Sequence, residues 1–359
     1  MSRDIYLRPV GFHPAGLAPP DAATQPGMRL AGGWLHFTAL EIARRSAGAE
    51  TRALVPLDSI WDRDWGRQVA QASAGLDGLL APRPRIAGVS LDRPRIMGIV
   101  NVTPDSFSDG GRLPSVAAAI AHGLRLAAEG ADILDIGGES TRPGSDAVSL
   151  QDELSRVLPV IEGLAAATDV PLSIDTRKAE VMRRAAAAGA SIINDVSALT
   201  HDPEALAACA ETGLPVILMH ALGDPKTMQD QPVYDNVLLD VFDFLEARID
   251  AAVIAGIPMA KLIADPGIGF GKTLEHNVAL MSGLSLFHAL GVPILLGASR
   301  KRFIGALTGV EVAAERVHGS VGAALAGVAQ GVQLLRVHDV AATRAAVGVF
   351  LACQGCGEA

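Results

Sequence analysis

From about residue 95 the chain repeats one unit eight times, and few folds tolerate such a rhythm. Each unit is a short apolar run, a polar turn often rich in glycine, a helical stretch and then a Gly before the next run. The runs occupy 95–100, 133–136, 172–174, 192–193, 216–219, 262–264, 294–296 and 334–337. They do not alternate polar and apolar residues, which is the pattern of parallel strands buried on both faces.

The helical stretches carry the stops such a fold needs. Gly130, Gly189, Gly213, Gly256, Gly291 and Gly331 stand just before the next run, where a left-handed C-cap is wanted. Asp202-Pro203 supplies an N-cap and a first-turn proline. Eight strand–helix units over about 255 residues predict a (β/α)8 TIM barrel rather than an open doubly wound sheet. The fold class is therefore α/β, with the barrel at 93–352, an N-terminal α+β appendage at 1–92 and a tail at 353–359.

In such a barrel, function gathers on the loops that follow the strands. All eight of these loops are polar. The first run leads to Asn101-Val102-Thr103-Pro104-Asp105-Ser106, continuing to Gly110-Gly111, and the second to Gly137-Gly138-Glu139-Ser140-Thr141-Arg142-Pro143. The third ends in Asp175-Thr176-Arg177, the fourth in Asn194-Asp195, and the fifth in Met219-His220. The last three give Asp265-Pro266-Gly267-Ile268-Gly269-Phe270-Gly271-Lys272, Ser299-Arg300-Lys301 and Arg336-Val337-His338-Asp339. The stretch Gly269–Thr273 is not a phosphate-binding P-loop, because the position that needs Gly is Pro266.

Segments 96–111 and 130–143 resemble the two signatures of dihydropteroate synthases, and the last three loops are similar to the same family. The resemblance spans roughly 95–350 and implies a magnesium-dependent barrel that joins a pterin methyl diphosphate to p-aminobenzoate. It implies pterin contacts for Asp265, Asn194 and Asp175, a lysine (Lys301) reaching the pterin carbonyl, and a diphosphate pocket at Arg336 and His338. Arg336 and His338 lie two apart on a strand end, so both can face one side. Anions need such donors and charge. Lys301, Arg336 and His338 are the catalytic candidates. Asn101 offers a hard oxygen for Mg2+, which usually takes few protein ligands, water and substrate phosphate. Thr141 and Arg142 could hold p-aminobenzoate or diphosphate, and Ser299 and Arg300 the benzoate carboxylate. Arg142 and Arg300 could equally be solvated loop charges. Met219 is placed to pack on the pterin face.

No nucleophile–base pair with triad spacing is evident. The resemblance implies a dissociative path: diphosphate departs, stabilised by the metal, Arg336 and His338, and the arylamine attacks the developing cation. Segment 101–111, with Gly110-Gly111 as a hinge, reads as a lid. In the loop from His220 to Pro225, this chain departs from the family, which commonly has Met, Gln and Thr at positions 221, 222 and 224. A methyltetrahydrofolate:corrinoid methyltransferase would share the Asp and Asn contacts. Arg336-Val337-His338 and Ser299-Arg300-Lys301 speak against it.

The net charge of -9 argues against nucleic acid or an anionic membrane as partner. The start lacks the apolar core of a signal peptide, no apolar run reaches membrane length, and three cysteines make no disulfide framework. A cytoplasmic protein is expected, and the resemblance implies a homodimer. Cys353 and Cys356 form a lone C-x-x-C, expected to be an incidental tail. Residues 1–90 begin Pro-rich. Segment 34–42 looks like a strand, Ser59-Ile60-Trp61-Asp62 resembles a capping box, and Trp61, Trp65, Val69, Ala72, Leu76 and Leu79 recur at helical spacing. The expectation is a small lobe on the barrel's outside.

Overall fold

The computed structural model describes residues 3–15, 27–46, 49–60, 63–102, 115–140, 147–223 and 232–356. The eight apolar runs are β7 (Arg95–Asn101), β8 (Ile133–Gly137), β9 (Leu172–Asp175), β10 (Ile192–Asp195), β11 (Val216–Met219), β12 (Leu262–Asp265), β13 (Leu295–Leu296) and β14 (Leu334–Val337). They form one parallel sheet in the order β12-β11-β10-β9-β8-β7-β14-β13. A parallel bridge from Ala264 to Ile294, with Ala264 N donating to Pro293 O at 2.9 Å, brings the two end strands together. The sheet is a barrel.

Strand parity divides the apolar residues into two sets. Ile96, Val100, Leu134, Ile136, Ile174, Ile193 and Leu218 join the helices in the main core. Met97, Ile133, Ile192, Ile217, Ile263, Leu295 and Leu334 instead close on one another inside the barrel. That inner layer is sealed by Ile86 and Leu91 from the segment before β7, which is folded by an Ile86–Val89 bridge. The floor of the barrel is thus apolar, and the polar side chains gather above it.

Outside lie α2 (Val116–Ala128), α3 (Leu150–Ala165), α4 (Ala179–Ala188), α5 (Ala205–Thr212), α6 (Val237–Ile254), α7 (Leu274–Ser282), α8 (Arg302–Thr308), α9 (Val317–Val328) and α10 (Val340–Cys353), numbered after α1 of the lobe (Val69–Leu80). The six glycines read as stops all take left-handed φ, from 61° to 116°. Asp202 differs from expectation. Helix α5 begins only at Ala205, and the Asp202 carboxylate accepts from Glu204 N and from Ala179 N at the start of α4, both at 2.9 Å. Among the described residues no helix is long and apolar enough to cross a membrane.

The described N-terminal residues fold as two three-stranded antiparallel sheets. One joins β1 (Ile5–Val10), β5 (Ala39–Ser46) and β6 (Ala49–Pro56); the other joins β2 (His13–Pro14), β4 (Leu35–Phe37) and β3 (Met28–Arg29). The strand expected at 34–42 is therefore broken at Thr38. The capping-box reading of Ser59 also fails, because Leu57–Ser59 is a 3-10 turn and α1 starts at Val69. Gly66, at φ 51°, interrupts the stripe between Trp65 and Val69. Trp61 lies outside the described residues. Ala72, Leu76 and Leu79 are buried, whereas Val69 is exposed.

This lobe seats against α6, the 3-10 segment Leu284–Leu290 and α9. The Tyr6 ring meets Phe242 edge-on at 5.7 Å, and Tyr6 OH donates to Asp243 at 2.9 Å. Arg3 pairs with Glu246, and Arg45 with Asp240 at 2.7 Å. Trp34 Nε1 donates to Val328 O at 3.2 Å.

Candidate active site

Above the apolar floor, the inward positions of the strands turn polar two residues further along. Asp135, Asp175, Asn194, Asp265 and Arg336 all occupy that level, and the contacts among them cross the barrel. Arg336 Nε, on β14, donates to Asp135 Oδ2 on β8 at 2.6 Å, and Nη2 donates to Asp175 Oδ2 on β9 at 2.7 Å. Asn194 Nδ2 donates to the same Asp135 oxygen at 3.2 Å. Two buried carboxylates thus share one guanidinium. Burial lifts the Asp175 carboxyl above its ordinary range; Arg336 opposes this, while Asp135 adds to it. The arginine is held firmly protonated by its two carboxylates against its burial.

Sequence reading overlooked Asp135. It interrupts an apolar run at inward parity, Ile133-Leu134-Asp135-Ile136, and that was the available signal. Asp135 Oδ1 and Ser173 Oγ, on register-paired residues, are buried without a hydrogen-bond partner among the described residues. Buried acceptors without a protein partner suit a ligand that brings N–H groups.

The β12 end supplies a third carboxylate. Asp265 is 4% exposed, its Oδ1 accepts from Gly267 N at 2.7 Å, and burial raises its pKa against the pull of Lys301. Gly267 has φ +67°, and a Cβ there would lie 1.8 Å from His220 O, so the turn needs glycine. Lys301 Nζ donates to Ile268 O and lies 4.4 Å above the Phe270 ring. Burial lowers the Lys301 ammonium to about 8, although Asp265 pulls the other way. Lys272, which closes the glycine-rich loop, is buried beneath it and bonds His220 Nδ1 at 2.9 Å and Phe270 O at 3.0 Å, and burial pushes its amine well below the ordinary lysine value.

Around the rim, Asn101 ends β7 and its Oδ1 lies 3.8 Å from where a Cβ on Gly137 would stand, beside Asp175. Met219 ends β11 with 4% exposure. Ser299 Oγ accepts from His338 N at 3.2 Å and meets His338 Nδ1 at 3.0 Å. Arg300 is engaged by Asp339, Nε to Oδ2 at 3.0 Å. Thr141, Arg142 and most of the expected lid, residues 103–111, lie outside the described residues. The loop stem before Thr141 is fastened through Glu139, which takes Arg177 Nη2 at 2.9 Å and Lys178 Nζ at 2.5 Å; against burial, these cations hold its pKa below the usual range. Asp175, Asn194, Asp265, Lys301, Ser299, Arg336 and His338 therefore converge at one barrel mouth.

A family model for pterin binding enzymes matches residues 97–338. The dihydropteroate synthase of Escherichia coli is 49% identical over 273 residues, 76% of this chain and 96% of that protein. This chain belongs to the dihydropteroate synthase family. The enzyme of Neisseria meningitidis serogroup B is 53% identical over 269 residues, 73% of this chain and 93% of its own. Among solved structures, Xanthomonas albilineans dihydropteroate synthase with 4-aminobenzoic acid matches at TM-score 0.72 and 58% identity, covering 76% of this chain and 98% of that one. The same enzyme in complex with 7,8-dihydropteroate matches at 0.69 and 55%, covering 76% and 99%. These synthase relatives are not corrinoid methyltransferases, which disfavours that alternative. About a quarter of the chain is not covered by these matches, which span 73–76% of it.

Proposed function

We propose that the chain condenses 6-hydroxymethyl-7,8-dihydropterin diphosphate with p-aminobenzoate, giving 7,8-dihydropteroate and diphosphate for folate synthesis. The observation that carries this reading is the buried Asp135–Arg336–Asp175 bridge, flanked by Asn194 and Asp265. A pterin edge offers N–H donors and one carbonyl. Buried carboxylate and amide acceptors answer the donors, and Lys301 answers the carbonyl. Met219 and Phe270 supply apolar faces for the ring.

The bond that breaks is the C–O bond of the pterin methylene, and its electron pair leaves on diphosphate. The p-aminobenzoate nitrogen forms the new C–N bond and releases a proton. No protein nucleophile is needed. Arg336 uses two of its five N–H donors on Asp135 and Asp175, and the rest are assigned to diphosphate with His338. Ser299 is assigned to the p-aminobenzoate carboxylate, and Thr141 and Arg142 to p-aminobenzoate or the diphosphate.

Among the described residues no group of three His, Cys, Asp or Glu side chains could hold a metal. A magnesium ion would take substrate phosphate and water as its main ligands, and Asn101 Oδ1 is the hard oxygen assigned to it. It would supply charge for the departing diphosphate. A homodimer in the cytoplasm completes the proposal, and sedimentation checks the first part. The decisive experiment incubates the protein with the pterin diphosphate, p-aminobenzoate and magnesium, and follows dihydropteroate. No product from folded protein overturns the reading.

A further inference from the structure

The loops after β13 and β14 are tied together at a residue whose backbone is strained. Arg300 has φ +59°, a left-handed conformation that side-chain-bearing residues seldom adopt. It stands between Ser299 and Lys301, and three contacts hold it there. Its N donates to Ser320 Oγ at 2.8 Å, and its O accepts from Arg316 Nη1 at 3.0 Å. Its guanidinium grips Asp339 with two bonds, Nε to Oδ2 at 3.0 Å and Nη2 to Oδ1 at 2.5 Å. Asp339 directly follows His338, and Ser299 directly precedes Arg300. The fork therefore closes a short ring whose other side is the Ser299 Oγ contact to His338 N and Nδ1.

We propose that Arg300 and Asp339 are positioning residues, a clasp that locks the β13 and β14 loops into one edge and so aims His338 at the diphosphate. The proposal rests on the reaction assigned above. Arg300 itself touches no reacting atom. Fork-to-carboxylate pairs fix geometry as well as charge, which suits the task. Lys301 is held independently, by Ile268 O and the Phe270 ring, so the clasp bears on diphosphate and not on the pterin ring.

The left-handed φ supplies a discriminating variant. In Arg300→Gly the turn is kept without strain while the fork is deleted, and Asp339→Asn keeps size and shape while removing the charge. Binding of inorganic diphosphate and of 6-hydroxymethylpterin would be measured by calorimetry in the full chain with magnesium, after thermal melts show each variant folded. Each single variant should weaken diphosphate roughly tenfold, as a small misplacement of a binding group does. Pterin should stay within about twofold, and the double variant should lose no more than about twofold beyond either single, because the two act as one unit. Arg300→Lys, which can reach one oxygen but cannot form the fork, should recover part of the loss. In steady state the variants should lower kcat, and any rise in KM for p-aminobenzoate, whose assigned contact Ser299 borders the clasp, should stay smaller than the loss of diphosphate affinity. Variants that match an active wild type, or that lose both ligands alike, or whose losses add, overturn the clasp alone. A wild type that makes no dihydropteroate overturns the assigned reaction and this proposal with it.

Discussion

Replacing Asp265 by alanine removes the acceptor of Gly267 N and a buried carboxylate whose charge is felt by Lys301. Pterin binding should weaken by about 2–5 kcal/mol, the range for breaking a buried charged hydrogen bond. The barrel should survive, since the apolar floor lies below Asp265. Unchanged pterin binding by calorimetry would sink the role given to this residue. Lys301 sets a pH limit of its own. An ammonium lowered to about 8 by burial loses its proton above that pH, and with it the bond offered to the pterin carbonyl. In the free enzyme kcat/KM for the pterin diphosphate should therefore fall through about pH 8. The Lys301→Arg variant, whose guanidinium keeps its proton, should not show that fall; an identical profile in both proteins would assign it elsewhere. Most of these residues could be read from sequence because a charged or amide residue at the end of a β-branched apolar run has little structural purpose. Asp135 was missed because it lies inside its run, where parity alone tells inward from outward.

At the scale of elements, the glycine-rich turn after β12 shows what strand-end motifs require of the backbone. Its carbonyls are secured one by one: Ile268 O by Lys301, Phe270 O by Lys272 and Gly271 O by Tyr234 OH at 2.8 Å. Gly267→Ala would force a Cβ into His220 O, backbone that has no room to yield, at a φ that alanine disfavours. The expected loss of stability is about 3 kcal/mol or more, because strain and a clash coincide. Urea unfolding measures it, and a loss below about 1 kcal/mol would mean that the turn rearranges at little cost. The eight strands and the glycine stops were legible because each is a local pattern repeated under one constraint. The lobe was read less well. The helical spacing runs on through Gly66, yet the chain turns there, and the apolar spacing of Trp61 and Trp65 says nothing about where a helix begins. Likewise Thr38 breaks segment 34–42, which looks like one strand, into strands of two different sheets, a choice made by tertiary pairing that no local pattern encodes.

At the scale of the molecule, the lobe and the barrel's active mouth occupy different places, and stability and substrate affinity should separate accordingly. The lobe covers Phe242 and Phe287, and Arg83 Nη2 reaches across to His288 O at 2.9 Å. The linker does a separate job, because Ile86 and Leu91 close the barrel floor. Deleting residues 1–80 should lower the melting temperature. Deleting 1–92 should lower it further, since it also bares Met97, Ile133 and Ile263. Either protein, if folded, should keep the pterin affinity of the intact chain; a folded truncation that loses it would show that the lobe reaches the site. Trp34, 6% exposed, should give blue-shifted emission in the intact chain. The same junction predicts an acid response. Burial, reinforced by Arg83, pushes His288 down to about 3, against an ordinary value of 6.5. Between those values an unfolded chain binds the proton and the folded one refuses it, so stability falls as pH drops below about 6.5. His220, lowered to about 2 by burial and Lys272, acts in the same direction in every variant. Removing residues 1–80 opens the surface over the His288 segment while leaving His220 untouched. The truncated protein should therefore lose less stability than the intact chain between pH 6.5 and 4, measured by urea titrations at each pH. Equal slopes in the two proteins would mean that His288 stays as buried without the lobe as with it.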